Sequence, residues 1–127
     1  MDYAKAIQDA YDGFAKGDPG PLFGLFDEKV EWIEAAGFPY AGTYVGADDI
    51  GQNVFGRLLA DWDPWTVVPD SIVVQGERVV AIGTYSGRNK ASGKDFRARF
   101  AHVWDFSGDK LRRLEQIVDS AKVNEAL

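Results

Sequence analysis

An α+β fold is the class this sequence predicts, and three observations carry the prediction. Helical spacing of apolar residues dominates the first half of the chain, over 3–16, 20–26 and 47–61. Period-two alternation fills the second half, over about 65–75, 78–90, 94–107 and 110–119, interrupted by the turn signals Gln75-Gly76, Ser92-Gly93 and Gly108-Asp109. No repeat, low-complexity segment or linker divides the 127 residues, so residues 1–127 are expected to form one domain.

The elements follow in order. Asp2 is a candidate N-cap for a first helix whose stripe is Tyr3, Ala6, Ile7, Ala10, Tyr11 and Phe14; Gly17 stops it. Asp18-Pro19 restarts a short helix carrying Leu22, Phe23 and Phe26 inward. Residues 29–35 alternate as a first strand with Trp32 and Glu34 on one face. The glycine-rich stretch after it reads as a loop with a short strand around Tyr44, its Tyr40 and Tyr44 rimming a pocket. Asp48 and Asp49 open a third helix, where carboxylates complement the dipole, and Ile50, Val54, Phe55, Leu58, Leu59 and Trp62 supply its stripe up to Pro64. The strands then form three consecutive hairpins, hence a largely antiparallel sheet.

Phe96 to Phe106 is the most informative stretch. Phe96, Ala98, Phe100, His102, Trp104 and Phe106 share one face, and the only histidine of the chain stands in the middle of that aromatic row. On the opposite face the reading places Val80, Ile82, Ala101, Val103, Leu114 and Val118. A sheet apolar on both sides needs a second cover, and a second copy of the chain through this outer face is the expected one.

Composition narrows the function. Hydrophobic residues make up 46% and aromatics 13%, enough for a packed interior around a cavity. Fourteen Lys and Arg against twenty Asp and Glu give a net charge of −6, which repels nucleic acid and acidic membranes, and neither is an expected partner. With no cysteine there is no disulfide or thiolate chemistry, and nothing near ~18 consecutive apolar residues or a leader-like N-terminus is present, so a cytoplasmic soluble protein is expected. No nucleophile elbow, phosphate-binding glycine loop or zinc motif occurs, and no cofactor or metal is expected. Arg88, Lys90, Lys94, Arg97, Arg99, Arg112 and Arg113 gather at one end of the sheet, either as a solvated edge or as an anion site. Three groups can carry chemistry: His102, Glu34 beside Trp32, and Asp119, whose competing reading is the cap of a short C-terminal helix.

The order of elements, with Phe14-Ala15-Lys16-Gly17-Asp18, Val30-Glu31-Trp32-Ile33-Glu34, the arm from Gly93 to Phe106 and the tail Gln116-Ile117-Val118-Asp119-Ser120-Ala121-Lys122-Val123, resembles the nuclear-transport-factor-2-like (cystatin-like cone) superfamily, and within it the SnoaL-like and ketosteroid-isomerase-like proteins. The resemblance implies a curved mixed sheet wrapped on the N-terminal helices, forming a cone with an internal pocket. It puts Glu34 where ketosteroid isomerases keep a carboxylate base and His102 where they keep the protonated aspartic acid of the oxyanion hole, which makes His102 the expected donor to the substrate oxygen. Their first-helix tyrosine corresponds to Ala10, with Tyr11 expected to face elsewhere, so Tyr85 is the expected supporting phenol. Asp119 is similar to the water-activating carboxylate of limonene-epoxide hydrolases, although the arginine and aspartate those enzymes add fall on Gly83 and Tyr85.

Strand parity is then expected to bring Trp32, Glu34, Tyr85, Phe100, His102, Trp104 and Asp119 to one cavity. Glu34, His102, Asp119 and Tyr85 are its candidate catalytic residues; Trp32, Tyr40, Phe55, Phe100 and Trp104 are its candidate substrate contacts. The expected function is a cofactor-independent isomerase, cyclase or lyase moving a proton next to a carbonyl in a small apolar molecule. The alternatives are a noncatalytic binder or assembly module of the same fold, and an epoxide-hydrolase-like enzyme using Asp119.

Overall fold

The computed structural model describes residues 1–127. Helix α1 spans Tyr3–Ala15, and its N-cap Asp2 accepts from the Lys5 backbone N–H at 3.0 Å. Ile7, Ala10 and Tyr11 are its buried face, and Gly17, at φ +76°, turns the chain away. Helix α2 is a single turn, Gly20–Phe23, shorter than the predicted 20–26. Phe26 is drawn into the sheet instead: strand β1 runs Phe26–Glu34, Phe26 pairs with Leu111, and the Leu111 N–H donates to the Leu25 carbonyl at 2.7 Å. Sheet hydrogen bonding outweighs the local helical spacing there.

Strand β2 is Gly42–Val45. The helix predicted over 47–61 is continuous in three parts: α3 (Ala47–Ile50), a π-helical turn (Gly51–Phe55) and α4 (Gly56–Asp61). The hairpin strands are β3 (Trp62–Gln75), β4 (Arg78–Asn89), β5 (Asp95–Ser107) and β6 (Lys110–Val118), and α5 (Ser120–Asn124) closes the chain. The six strands lie in the order β2-β1-β6-β5-β4-β3, antiparallel except for β1 against β6. This is the mixed, curled sheet of the expected cone, with the N-terminal helices inside its curve.

The whole predicted row on β5, Phe96 to Phe106, is buried. On β6 the predicted faces are reversed. Trp104 pairs with Leu114, His102 with Gln116 and Phe100 with Val118, so Leu114 and Val118 belong to the inner side and not to the outer one. The cause is an irregularity between Asp105 and Phe106: Leu111 opposes Phe106 and Leu114 opposes Trp104, so one extra residue of β6 fits between two inward positions. Alternation counted from Leu111 is therefore out of phase beyond it.

On the outer face, Val80, Ala101 and Val103 are half-buried, while Val68, Val73, Ile82 and Ile117 are exposed. Three of the seven basic residues at the sheet end are matched by carboxylates. Arg88 pairs with Asp95 at 2.8 Å, Arg99 with Asp70 at 2.6 Å, and Arg113 lies 3.5 Å from Glu115 and 3.8 Å from Asp105. Those pairs neutralise part of the edge, as charged residues that protect a sheet end do.

Candidate active site

The cone encloses one predominantly apolar cavity between α1, the 47–61 helix and the concave side of the sheet. Tyr11 and Phe14 come from α1, Val54, Phe55 and Leu58 from the middle helix, and Trp32, Glu34, Trp65, Tyr85, His102, Trp104 and Gln116 from the strands. About 60 Å³ is open to the centre of a water molecule, room for a handful of waters with the side chains as they stand. Phe14 and Phe55, whose rings lie 5.8 Å apart, are half-buried and mark where the cavity approaches solvent.

Of the predicted residues, Trp32, Glu34, Phe55, Tyr85, His102 and Trp104 line this space together. Phe100 does not. Its ring lies over Gly83, the one residue type that leaves room there, and stacks on His102 at 4.1 Å and on Tyr85 at 4.5 Å, so it forms the floor beneath the site. Tyr40 also lies outside: its hydroxyl donates to Asp61 Oδ2 at 2.5 Å and accepts from Trp62 Nε1 at 3.0 Å, tying the end of α4 to the loop before β2. Asp119 is exposed and is the N-cap of α5, accepting from the Lys122 N–H at 3.4 Å. The shifted phase of β6 turns it away from the cavity and puts Gln116 there, so the water-activating role expected by analogy has no place in this geometry.

Two residues complete the site beyond those predicted. Tyr11 faces the cavity and not away from it, because Ile7, Tyr11 and Phe14 lie on one helical face at steps of four and three. Gln116 accepts the Ala35 backbone N–H on Oε1 at 3.1 Å, which fixes its amide so that Nε2 donates to the Tyr85 hydroxyl at 2.9 Å.

His102 sits between the two phenols. Its Nδ1 is 2.6 Å from the Tyr11 hydroxyl and its Nε2 is 2.5 Å from the Tyr85 hydroxyl. Trp104 Nε1 donates to the Tyr11 oxygen at 3.1 Å. Burial lowers the His102 pKa to about 3, so the ring is neutral at pH 7 and carries one N–H. Both ring nitrogens are occupied, so His102 is not the donor to a ligand that its position suggested. The proton count identifies the donor instead. Along Trp104, Tyr11, His102, Tyr85 and Gln116 four hydrogen bonds are shared by five protons: indole N–H, two phenols, one imidazole N–H and one amide N–H. One phenolic proton is therefore left over, on Tyr11 or Tyr85 according to the imidazole tautomer.

Glu34 supplies the complementary group. Trp32 Nε1 donates to its Oε1 at 3.2 Å, while Oε2 is buried with no partner. Desolvation raises its pKa from 4.5 to about 7, opposed by the Trp32 hydrogen bond. Tyr11 and Tyr85 are both held well above the usual phenol range, each chiefly by burial, and the Glu34 charge adds to the effect at Tyr85. The site thus presents one unpaired carboxyl oxygen and one unpaired phenol proton to an apolar space, and no Lys or Arg lines it.

A curled mixed sheet closed over N-terminal helices around such a cavity defines a cone protein of the nuclear-transport-factor-2-like class. Within that class the chain belongs to the SnoaL-like domain family, whose family model matches residues 7–114. An NTF2-like protein from Burkholderia thailandensis E264 is 38% identical, with 97% of this chain and 95% of that chain covered and a TM-score of 0.93. TerC, co-crystallised with polyporic acid, is 26% identical over 96% of this chain and 95% of that chain, with a TM-score of 0.85. A protein with a ketosteroid isomerase-like fold from Catenulispora acidiphila DSM 44928 shares the fold at 17% identity, over 95% and 90% of the two chains, with a TM-score of 0.81. Comparison with curated proteins gives no match.

Proposed function

We propose that this protein is a small-molecule pocket enzyme of the isomerase, cyclase or lyase type, moving a proton next to a carbonyl in an apolar substrate. The observation that carries the reading is the pairing of an unpartnered carboxyl oxygen on Glu34 with a spare phenol proton in one apolar cavity. Glu34, with a pKa near neutrality, is the base that takes the proton from carbon and returns it. The free phenol of Tyr11 or Tyr85 donates to the oxygen on which enolate charge develops, in surroundings where a hydrogen bond gains strength from the exclusion of water. Both roles are filled by the chain itself, so the scheme calls for no cofactor. The absence of any cationic side chain in the lining favours a neutral substrate over a phosphate or carboxylate.

Polyporic acid, the molecule named with TerC, and cyclic ketones, polyketides and terpenoids are the compounds to screen by thermal shift. The one that stabilises the protein is then incubated and recovered. Conversion that falls ~100-fold or more in Glu34→Gln, with binding retained, supports the assignment. Full turnover in Glu34→Gln, Tyr11→Phe and Tyr85→Phe alike, all folded, removes it. A second reading, a noncatalytic binder, is favoured by the narrowness of the free space, and a ligand that raises the melting temperature yet is recovered unchanged selects it.

A further inference from the structure

A phenol alone is enough to hold an oxyanion; an imidazole bonded to two phenols adds a path between them. His102 is clamped by the Phe100 ring stacked at 4.1 Å and by Trp104 edge-on at 5.7 Å, so its ring cannot turn over in place without displacing them. Its two tautomers therefore exchange by proton movement through the bonded neighbours. In one, Nε2–H donates to Tyr85, the Tyr11 hydroxyl donates to Nδ1, and the spare proton is on Tyr85. In the other, Nδ1–H donates to Tyr11, the Tyr85 hydroxyl donates to Nε2, and the spare proton is on Tyr11.

We propose that His102 relays a proton between Tyr11 and Tyr85, so that the cavity gives a proton to a bound ligand at one phenol and takes one back at the other. The spare Tyr85 proton passes to a carbonyl oxygen of the ligand, and the Nε2–H bond breaks as its proton replaces the one lost. The Tyr11 proton forms the new Nδ1–H bond. The Tyr11 oxygen then takes the proton of a ligand hydroxyl, whose electron pair shifts through the conjugated system toward the former carbonyl. Both phenols and the imidazole end neutral, and the ligand leaves as its own tautomer with no oxidant or reductant involved. Concerted passage avoids a free phenolate, which burial opposes at both tyrosines. The reverse passage resets the relay. The substrate class is a neutral, conjugated hydroxy-carbonyl compound that reaches both phenols. The relay rests on the proton-transfer reading above and extends it from carbon, where Glu34 acts, to the substrate oxygens.

Because His102 is the only histidine, ¹⁵N-histidine labelling gives two ring resonances that report it alone. Tyr11→Phe leaves Nδ1 without its partner and is expected to favour the Nε2–H tautomer; Tyr85→Phe is expected to favour the Nδ1–H tautomer. The wild-type resonances at pH 7 should lie between those of the two variants. Acetophenone, an acceptor only, should pull them toward one variant, and 4-hydroxyacetophenone, with a conjugated carbonyl and hydroxyl, should leave them averaged. Wild-type resonances that coincide with one variant and do not move with either ketone overturn the relay. Should the variants not fold, the wild type alone decides: a single directly bonded ¹H–¹⁵N coupling that persists with and without ketone means a locked tautomer and no relay. The measurement needs no turnover. A locked His102 beside Glu34-dependent conversion sinks the relay alone, whereas an exchanging His102 with no compound converted sinks the enzymatic reading and, with it, proton delivery to a ligand.

Discussion

Glu34→Gln should change how stability depends on pH more than it changes stability itself. In the folded protein the Glu34 carboxyl is 6% exposed, with one oxygen unpartnered, and its pKa rises from 4.5 to about 7. Between those values the folded state holds a proton that the unfolded chain releases. This group's contribution is therefore fully present below pH ~4.5 and is lost as pH rises through about 7. At ~1.4 kcal/mol per pH unit the loss amounts to roughly 3 kcal/mol. The amide introduced by Glu34→Gln keeps an oxygen for the Trp32 indole N–H and has no charge to desolvate, so the variant lacks this slope. Urea melts of both proteins at pH 5 and pH 8 measure it: the wild type should lose roughly 2.5 kcal/mol more than the variant between the two values, since part of the loss is already present at pH 5, with most of it falling before pH 7.5. Parallel curves would falsify the burial argument and, with it, the claim that Glu34 is poised as a base near neutrality.

Three further outcomes follow from particular contacts. Asp119→Ala should cost about 1 kcal/mol through loss of the α5 cap, while leaving ligand binding and any turnover unchanged; a dead but folded variant restores the hydrolase reading. Gly83→Ala should destabilise by roughly 1–3 kcal/mol, because the new methyl meets the Pro69 Cα at 2.7 Å and the Phe100 ring at the same distance, and a neutral effect in denaturant melts shows that β3 can yield. We propose that the exposed Val68, Val73, Ile82 and Ile117 belong to a homodimer interface on the outer sheet face, so light scattering should show a dimer at micromolar concentration that Ile82→Lys dissociates. A wild-type monomer ends that idea.

What the sequence made legible, and what it hid, divides along the local regularity of the chain. The β5 row from Phe96 to Phe106 and the Trp32–Glu34 face could be read because strict alternation persists through each. Asp119 was misplaced because one extra residue in β6 reversed its faces, and nothing in Leu111-Arg112-Arg113-Leu114 advertises a bulge. Tyr11 was legible in principle, since its spacing from Ile7 and Phe14 marks the buried stripe; alignment to another family's tyrosine pointed to Ala10 instead. Gln116 carries no sequence signal at all. An amide becomes part of a site only through partners brought from elsewhere, here Ala35 and Tyr85, 81 and 31 residues away.

The parallel contact between β1 and β6 also sets an order of assembly. The β3–β4–β5 hairpins join neighbours in sequence and can form early, with little chain to close into loops. Strand β1, by contrast, has only the short edge strand β2 as a partner nearby in sequence, and the two meet the rest of the sheet only through β6, which pairs Trp32 with Leu114 across most of the chain. During synthesis the first strand and its Trp32 and Glu34 must wait, with apolar surface uncovered, until residues 110–118 have emerged. Ribosome-bound chains halted before residue 110 should accordingly remain protease-sensitive over β1, and early protection there would mean that another surface shelters it first.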